Sequence, residues 1–396
     1  MPLKFTISGK VKRGLGRAGV IETLHGKINT PAFAVVATKA SVKAATPEML
    51  KKLGAQVVLA NTYHLHLEPG EDIVKKAGGL GKFMNWDGPT MTDSGGFQAF
   101  SLGPAYNKSI TKLGSANGGR TKLNMPDEKP LAKIDDGGIS FKSIIDGSAR
   151  RFTPESCIKI QHDLGADIIF TLDECALPDA AKDVQIRALE RTHRWAKRCL
   201  KYHLSSKNKS HQALFGIIQG GRFEDLRRQS ARFISGLDFS GFGIGGTFEK
   251  IDVGRAVKWV NEELPPEKPR HLLGIGEIND LFEAVRNGCD LFDCVLPTRL
   301  ARNGSLYTPK GRINIYNSRY KKDLRPIDSE CACYTCFCYS RAYLSHLFRA
   351  KEILAPILST AHNLFFLIHL VDRIRESILD NKMDSFMDGY LRHYKR

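Results

Sequence analysis

An α/β fold of the (β/α)₈ barrel type is what this sequence predicts, and three observations carry the prediction. Short apolar runs alternate with helix-like segments from about residue 30 to 310. The runs are rich in Val, Ile, Leu and Phe without clean alternation, as expected of strands buried on both faces. No Gly-rich dinucleotide fingerprint follows the first strand, which weakens the case for an open doubly wound sheet.

The candidate strands, in order, are Pro31 to Ala37, Gln56 to Ala60, the short Pro89-Thr90-Met91-Thr92 segment, Ala166 to Leu172, Ala213 to Ile218, Phe242 to Ile244, His271 to Ile275 and Asp290 to Leu296. Among the helices, Thr153-Pro154-Glu155-Ser156 sets a capping residue and then Pro before a run ending near Gly165. Arg222 to Gly236 and Asp280 to Gly288 each close on Gly, a common helix stop. Polar residues or glycines recur where apolar runs end: Asn61-Thr62, Asp93, Asp173-Glu174, Gln219, Gly245-Gly246 and Asp293. Barrel enzymes carry their chemistry at the carboxyl ends of the strands, so these residues are expected at one mouth. Any one of them could merely begin a turn. Six in that position favour a site.

Residues 104–135 stand apart. Ser115-Ala116-Asn117-Gly118-Gly119-Arg120 is flexible by composition and lysines surround it, so a long mobile loop over the active face is expected. We read it as a tolerated insertion rather than an RNA contact. The barrel is expected to take residues 1–308 with the C-terminal helices, and residues 309–396 a second subdomain with closing helices. Ser340 to Lys351 and Pro356 to Leu379 read as helices, and a basic tail, Arg392-His393-Tyr394-Lys395-Arg396, follows.

Lys and Arg total 59 against 42 acidic residues, a formal net charge of +17 that favours a polyanionic partner. The start, Met1-Pro2-Leu3-Lys4-Phe5, lacks a signal-peptide run, and the longest apolar stretch, Asn363 to Val371, is too short to span a bilayer. A cytoplasmic protein with no membrane partner is expected. Nine cysteines, four of them between Cys331 and Cys338, suggest reduced thiols and a metal site rather than a disulfide framework.

Cys331-Ala332-Cys333-Tyr334-Thr335-Cys336 puts three thiols within six residues, soft ligands suited to tetrahedral Zn²⁺. Candidates for the fourth ligand are Cys338, His346, His362 and His369. Cys338 crowds Cys336, and His346 and His369 fall within helical patterns. His362, early in the last long helix, can reach back to the cluster. Such a closed site is structural, with one zinc per chain.

Several strings in this chain resemble those of the tRNA-guanine transglycosylases. They are Thr92-Asp93-Ser94-Gly95-Gly96-Phe97-Gln98, Asn61-Thr62-Tyr63-His64-Leu65, Phe292-Asp293-Cys294-Val295-Leu296-Pro297-Thr298-Arg299 with Ala301-Arg302-Asn303-Gly304, Ser340-Arg341-Ala342-Tyr343-Leu344, and the Cys331/Cys333/Cys336…His362 cluster. The similarity runs in order from about residue 5 to 390. It implies a (β/α)₈ TIM barrel with a C-terminal zinc-binding subdomain, Asp293 as nucleophile and Asp93 as general acid/base. It also implies that Asp93, Ser94, Gly95, Gly96, Phe97, Asp173, Gln219 and Gly246 bind the purine. The segments Gly274-Ile275-Gly276-Glu277-Ile278-Asn279-Asp280 and Thr298-Arg299-Leu300-Ala301-Arg302 would touch the anticodon loop, with its U-G-U core. Cys331, Cys333, Cys336 and His362 match the zinc ligands. Homodimerisation is implied in the same way.

The reaction so implied exchanges guanine at the wobble position of tRNAs with a GUN anticodon for the free 7-deazaguanine base preQ1 (7-aminomethyl-7-deazaguanine). A carboxylate beneath the ribose stabilises the developing charge and then bonds to carbon, as in retaining glycosidases. A second carboxylate moves the proton of the attacking ring nitrogen. Phe97 and Tyr63 are candidate stacking faces. One departure is Gly245-Gly246-Thr247-Phe248-Glu249-Lys250, where bacterial relatives usually continue with Leu and then a Val-Gly-Glu run. This segment borders the substituent of the incoming base, so queuine is the alternative. The rival from another class is a non-catalytic tRNA-binding partner subunit, which the intact Asp93 and Asp293 motifs oppose.

Overall fold

The structure, a computed structural model, describes residues 2–101, 132–177, 179–246 and 253–395. Eight parallel strands close a barrel in sequence order: β1 Ala32–Val36, β2 Val58–Ala60, β3 Thr90–Thr92, β4 Ile168–Phe170, β5 Ala213–Ile218, β6 Gly241–Ile244, β7 Arg270–Leu272 and β8 Leu291–Asp293. Each answers to an apolar run in the sequence. The last run was expected to reach Leu296, but β8 stops at Asp293 and Leu296–Arg302 is helical. Pro297, in the first turn, suits a helix start and cannot donate to a sheet. The Pro154–Leu164 helix has the expected N-terminus, a Thr153/Ser156 capping box, and ends on Gly165 at φ +74°.

The barrel interior is filled by side chains from alternate positions, among them Ala34, Leu59, Met91, Phe170, Phe215, Ile217 and Leu291. Large and small residues face each other there. A Cβ on Gly241 would lie 2.5 Å from the Phe215 ring and one on Gly243 3.0 Å from Phe170, so glycine makes room for two aromatics.

An antiparallel sheet that the sequence reading did not anticipate (Lys4–Lys10, Arg17–Thr23, Gly26–Thr30) closes the amino-terminal end of the barrel. Its Ile21 and Ile28, with Leu3, join the interior cluster. Arg17 makes a two-pronged bond to Asp290 at 2.9 and 2.6 Å, just before β8, and His25 meets Asp167, just before β4, at 2.7 Å.

Of the loop expected at residues 104–135, positions 104–131 lie outside the described residues. The last four are not loop. Ala132–Asp135 is a strand paired with Gly138–Lys142, which pairs in turn with Ala149–Phe152. Asp135 turns the chain by accepting the N–H groups of Gly137 and Gly138 at 2.7 and 3.1 Å.

Beyond β8 a hairpin (Ser305–Thr308, Gly311–Asn314) leads to helices Tyr334–Cys338, Arg341–Ala350, Leu354–Leu379 and Met383–His393. Leu306, Ile315, Tyr320, Leu344, Leu347 and Leu358 belong to a small apolar cluster of their own with Cys333 and Cys336. The 26-residue Leu354–Leu379 helix is longer than the apolar stretch foreseen and is long and apolar enough to cross a bilayer. It is a core helix nonetheless: 67% of its apolar window is buried within the protein, much of it in the main core.

Candidate active site and metal centre

Side chains alternate across a strand, so a residue two places beyond an interior hydrophobe shares its inward face. Met91 and Asp93, Ile217 and Gln219, and Leu291 and Asp293 stand in this relation. The strands deliver polar groups to the carboxyl-end mouth by continuing their own interior pattern. Asp93, Ser94, Phe97, Gln98, Asp173, Cys175, Gln219, Gly245 and Gly246 line one cleft there, floored by Phe170, Ile217 and Leu273. It is a narrow cleft, partly open to solvent, with room inside for about 30 Å³.

Two neighbours from the end of β2 fix Asp93. The Thr62 N–H donates to Oδ1 at 2.8 Å, and the Asn61 side-chain amide donates to Oδ2. Across the cleft Asp173 accepts from Gln219 Nε2 at 2.6 Å and from the Ser94 hydroxyl at 3.2 Å. The Ser94 carbonyl receives the Cys157 thiol at 3.0 Å, and burial pushes that thiol well above its ordinary pKa, so it stays a donor. Gly246, at φ +105°, admits no side chain: a Cβ would lie 2.7 Å from Arg227 Nη2. Arg227 is fully buried and donates to the carbonyls of Gly221 and Gly245, both at 2.8 Å; burial pulls its guanidinium down to about 10.

Asp293 is nine-tenths buried at the end of β8. Its Oδ1 accepts the Gly274 N–H at 2.8 Å and meets His271 Nε2 at 2.9 Å. It does not itself line the cleft that holds Asp93, but Leu273, next to Gly274, does. Both carboxylates therefore stand at carboxyl strand ends, Asp93 in the cleft and Asp293 one residue removed from its Leu273 wall. Burial pushes the adjacent Cys294 thiol up to about 12, so it is a neutral thiol.

The two proposed RNA segments are unequally exposed. Gly274, Glu277, Asn279, Leu300 and Arg302 are half-buried and Arg299 is exposed, whereas Ile275, Gly276, Ile278, Asp280, Thr298 and Ala301 are buried. Arg302 donates to the Thr298 carbonyl at 3.2 Å, and Glu277 pairs with Arg312 at 3.6 Å. Of the two aromatics offered as stacking faces, Tyr63 is 1% exposed and packs on Phe141 and Phe152, a core residue. Phe97 lines the cleft.

Cys331, Cys333 and Cys336 place their sulfurs 3.8, 3.5 and 3.3 Å from His362 Nδ1, and all four ligand atoms lie within 4.8 Å of one another. A tetrahedral ion bonded at about 2.3 Å to sulfur and about 2.0 Å to nitrogen holds such atoms roughly 3.5 Å apart, so the cluster fits a metal ion. His362 Nε2 lies 2.8 Å from the Tyr307 carbonyl, which fixes the proton there and presents Nδ1 as a ligand. Cys338, His346 and His369 are exposed and take no part.

The sequence reading missed His271, Gln98, Cys175 and Leu273 as parts of the site. The one local signal was a histidine set in an apolar strand.

The family profile described as queuine tRNA-ribosyltransferase matches residues 12–396. A queuine tRNA-ribosyltransferase of Caldanaerobacter subterraneus subsp. tengcongensis is 47% identical over 399 residues, covering 99% of this chain and 98% of the relative. The enzyme of that name from Desulforamulus reducens is 45% identical, covering 99% of each chain. That of Dehalococcoides mccartyi is 46% identical, covering 100% of this chain and 94% of the relative. With near end-to-end similarity on an eight-stranded barrel that carries a Cys₃His cluster, this chain belongs to the queuine tRNA-ribosyltransferase family, a family of transferases.

Proposed function

We propose that this protein is a tRNA-guanine transglycosylase that exchanges the wobble guanine of GUN-anticodon tRNAs for preQ1 through a covalent enzyme–RNA intermediate. The observation that carries the reading is the mouth itself: Asp93, Ser94, Asp173, Gln219 and Gly246 around one cleft, with Asp293 at the end of β8 bonded to Gly274, next to the cleft's Leu273. Asp293 attacks the anomeric carbon while the bond to guanine breaks, and Asp93 protonates the departing base. The incoming base gives its ring proton back to Asp93 and displaces Asp293. Two inversions give net retention. Asp173 accepts from the guanine ring N–H and exocyclic amine, a pattern that rejects adenine. Gln219, already bonded to Asp173, orients it, while Ser94, Gly95, Gly96 and Gly246 let the backbone approach the flat base and Phe97 stacks on it.

The anticodon loop is bound through the segments 274–280 and 298–302, where exposed Arg299 and half-buried Arg302 meet phosphate or the flanking uridines. The net charge of +17 supports tRNA as partner. One zinc ion on Cys331, Cys333, Cys336 and His362 is structural: it ties the Tyr334–Cys338 turn to the long helix. Two copies pair through the zinc region, a reading supported by the apolar exposure of Leu324, Tyr334 and Phe337, the last 88% exposed. The enzyme works in the cytosol.

For the incoming base we favour preQ1 from the bacterial look of the sequence, although the printed name of the relatives carries queuine. A base-exchange assay with a U-G-U anticodon hairpin and each free base decides: preQ1 incorporation is expected, and incorporation of queuine alone overturns that part. An RNA adduct stable on a denaturing gel is expected with the wild type. Its formation by Asp293→Asn would remove the mechanism, and its absence in the wild type would favour the non-catalytic reading.

A further inference from the structure

Beneath Asp293, a histidine stands inside an otherwise apolar barrel. His271 is fully buried on the inward face of β7, its ring edge-to-face with Phe170 at a centroid distance of 5.4 Å. Its Nε2 lies 2.9 Å from Asp293 Oδ1, and its Nδ1 is buried with no hydrogen-bond partner among the described residues. A doubly protonated ring would bury an Nδ1–H that nothing receives. The tautomer with its proton on Nε2 avoids this by donating to Asp293 and leaving only a lone pair inside. Two N–H groups, from His271 and Gly274, then converge on the same carboxylate oxygen.

We infer that His271 is a positioning residue that holds the Asp293 carboxylate and favours its release from the covalent intermediate. The inference rests on the reading of Asp293 as nucleophile. In the first displacement a carboxylate oxygen bonds to the anomeric carbon as the C–N bond breaks, its electron pair leaves with guanine, and Asp93 supplies the proton. In the second, the incoming base forms its bond to the same carbon and the ester C–O pair returns to Asp293. His271 keeps its proton throughout. A hydrogen bond to a carboxylate is stronger than one to an ester carbonyl, so the donor lowers the free carboxylate relative to the ester. Without that donor the ester persists.

The test uses His271→Phe, which keeps an aromatic ring but no donor, and His271→Gln, whose side-chain amide restores one at the Nε2 position. The full-length protein, an anticodon hairpin and a fixed guanine concentration are used, with thermal melting as a folding check. For His271→Phe the trapped adduct is expected to rise at least about tenfold relative to free enzyme while guanine exchange slows on the order of ten- to a hundredfold. His271→Gln is expected to return both to within a few-fold of wild type. Slower exchange with no gain in adduct, or no change in either, overturns the role. If His271→Phe does not fold, His271→Gln alone decides: a hundredfold loss of exchange with a wild-type melting curve also overturns it. Adduct formation by Asp293→Asn would instead sink the assignment of the nucleophile.

Discussion

The mouth of the barrel and the C-terminal cysteine cluster are both polar centres set against apolar cores, but they are assembled in opposite ways. The mouth draws on residues from 61 to 293, brought in by several strand ends, and exists only when the barrel closes. The cluster draws its four ligands from residues 331 to 362, three of them on one short turn. The mouth is supported by a large core, whereas the cluster sits in a small one. On the proposed function, a side chain at the mouth therefore serves reactivity, and one in the cluster local order.

Asp293→Asn and Asp93→Asn separate these roles most sharply. Base exchange is expected to fall on the order of 10⁴-fold or more with the melting temperature within a few degrees of wild type. A melting temperature that falls with activity would erase the contrast. Next comes Asp173→Asn, which turns an acceptor facing the purine into a donor. KM for guanine should rise about a hundredfold in steady-state exchange kinetics, the result of burying a mismatched polar group.

From the other side, Cys336→Ala should release the metal, read by elemental analysis. It should lower the local stability of residues 318–350 by several kcal/mol, roughly 3 or more, read by limited proteolysis or hydrogen exchange. Purine-binding residues should keep their affinity for free guanine. The last effect, on stability alone, belongs to neither centre. His162, His193 and His203 are pulled down to about 4, each chiefly by burial. Their unfolded value is near 6.5. The unfolded chain therefore binds protons that the native one refuses between those values. Stability is complete above about pH 6.5 and is lost as pH falls toward 4, by up to about 1.4 kcal/mol per ring and pH unit. Chemical denaturation at pH 7.5 and pH 5 checks it, and equal stability at both would contradict the burial.

How far the sequence could be read follows the same division. Strands such as Ala213–Ile218 announce themselves as unbroken apolar runs, and the cysteines cluster within one line of sequence. Lys4–Lys10 does not: its exposed and half-buried residues alternate, and what anchors its sheet is Arg17 on Asp290, 273 residues away. The β8 boundary was overrun because Val295 and Leu296 continue the apolar run into a helix. His271 escaped notice because its bond to Asp293 depends on barrel register, in which His271 pairs with Leu291 and Leu272 with Phe292. Periodicity within one strand cannot report which carboxylate a neighbouring strand will bring.

Among the described residues the Lys4–Thr30 sheet packs against the amino-terminal pole of the barrel, and the polar cleft lies at the opposite end. On the proposed function, spent guanine and its replacement both pass through that end, where the RNA is also bound.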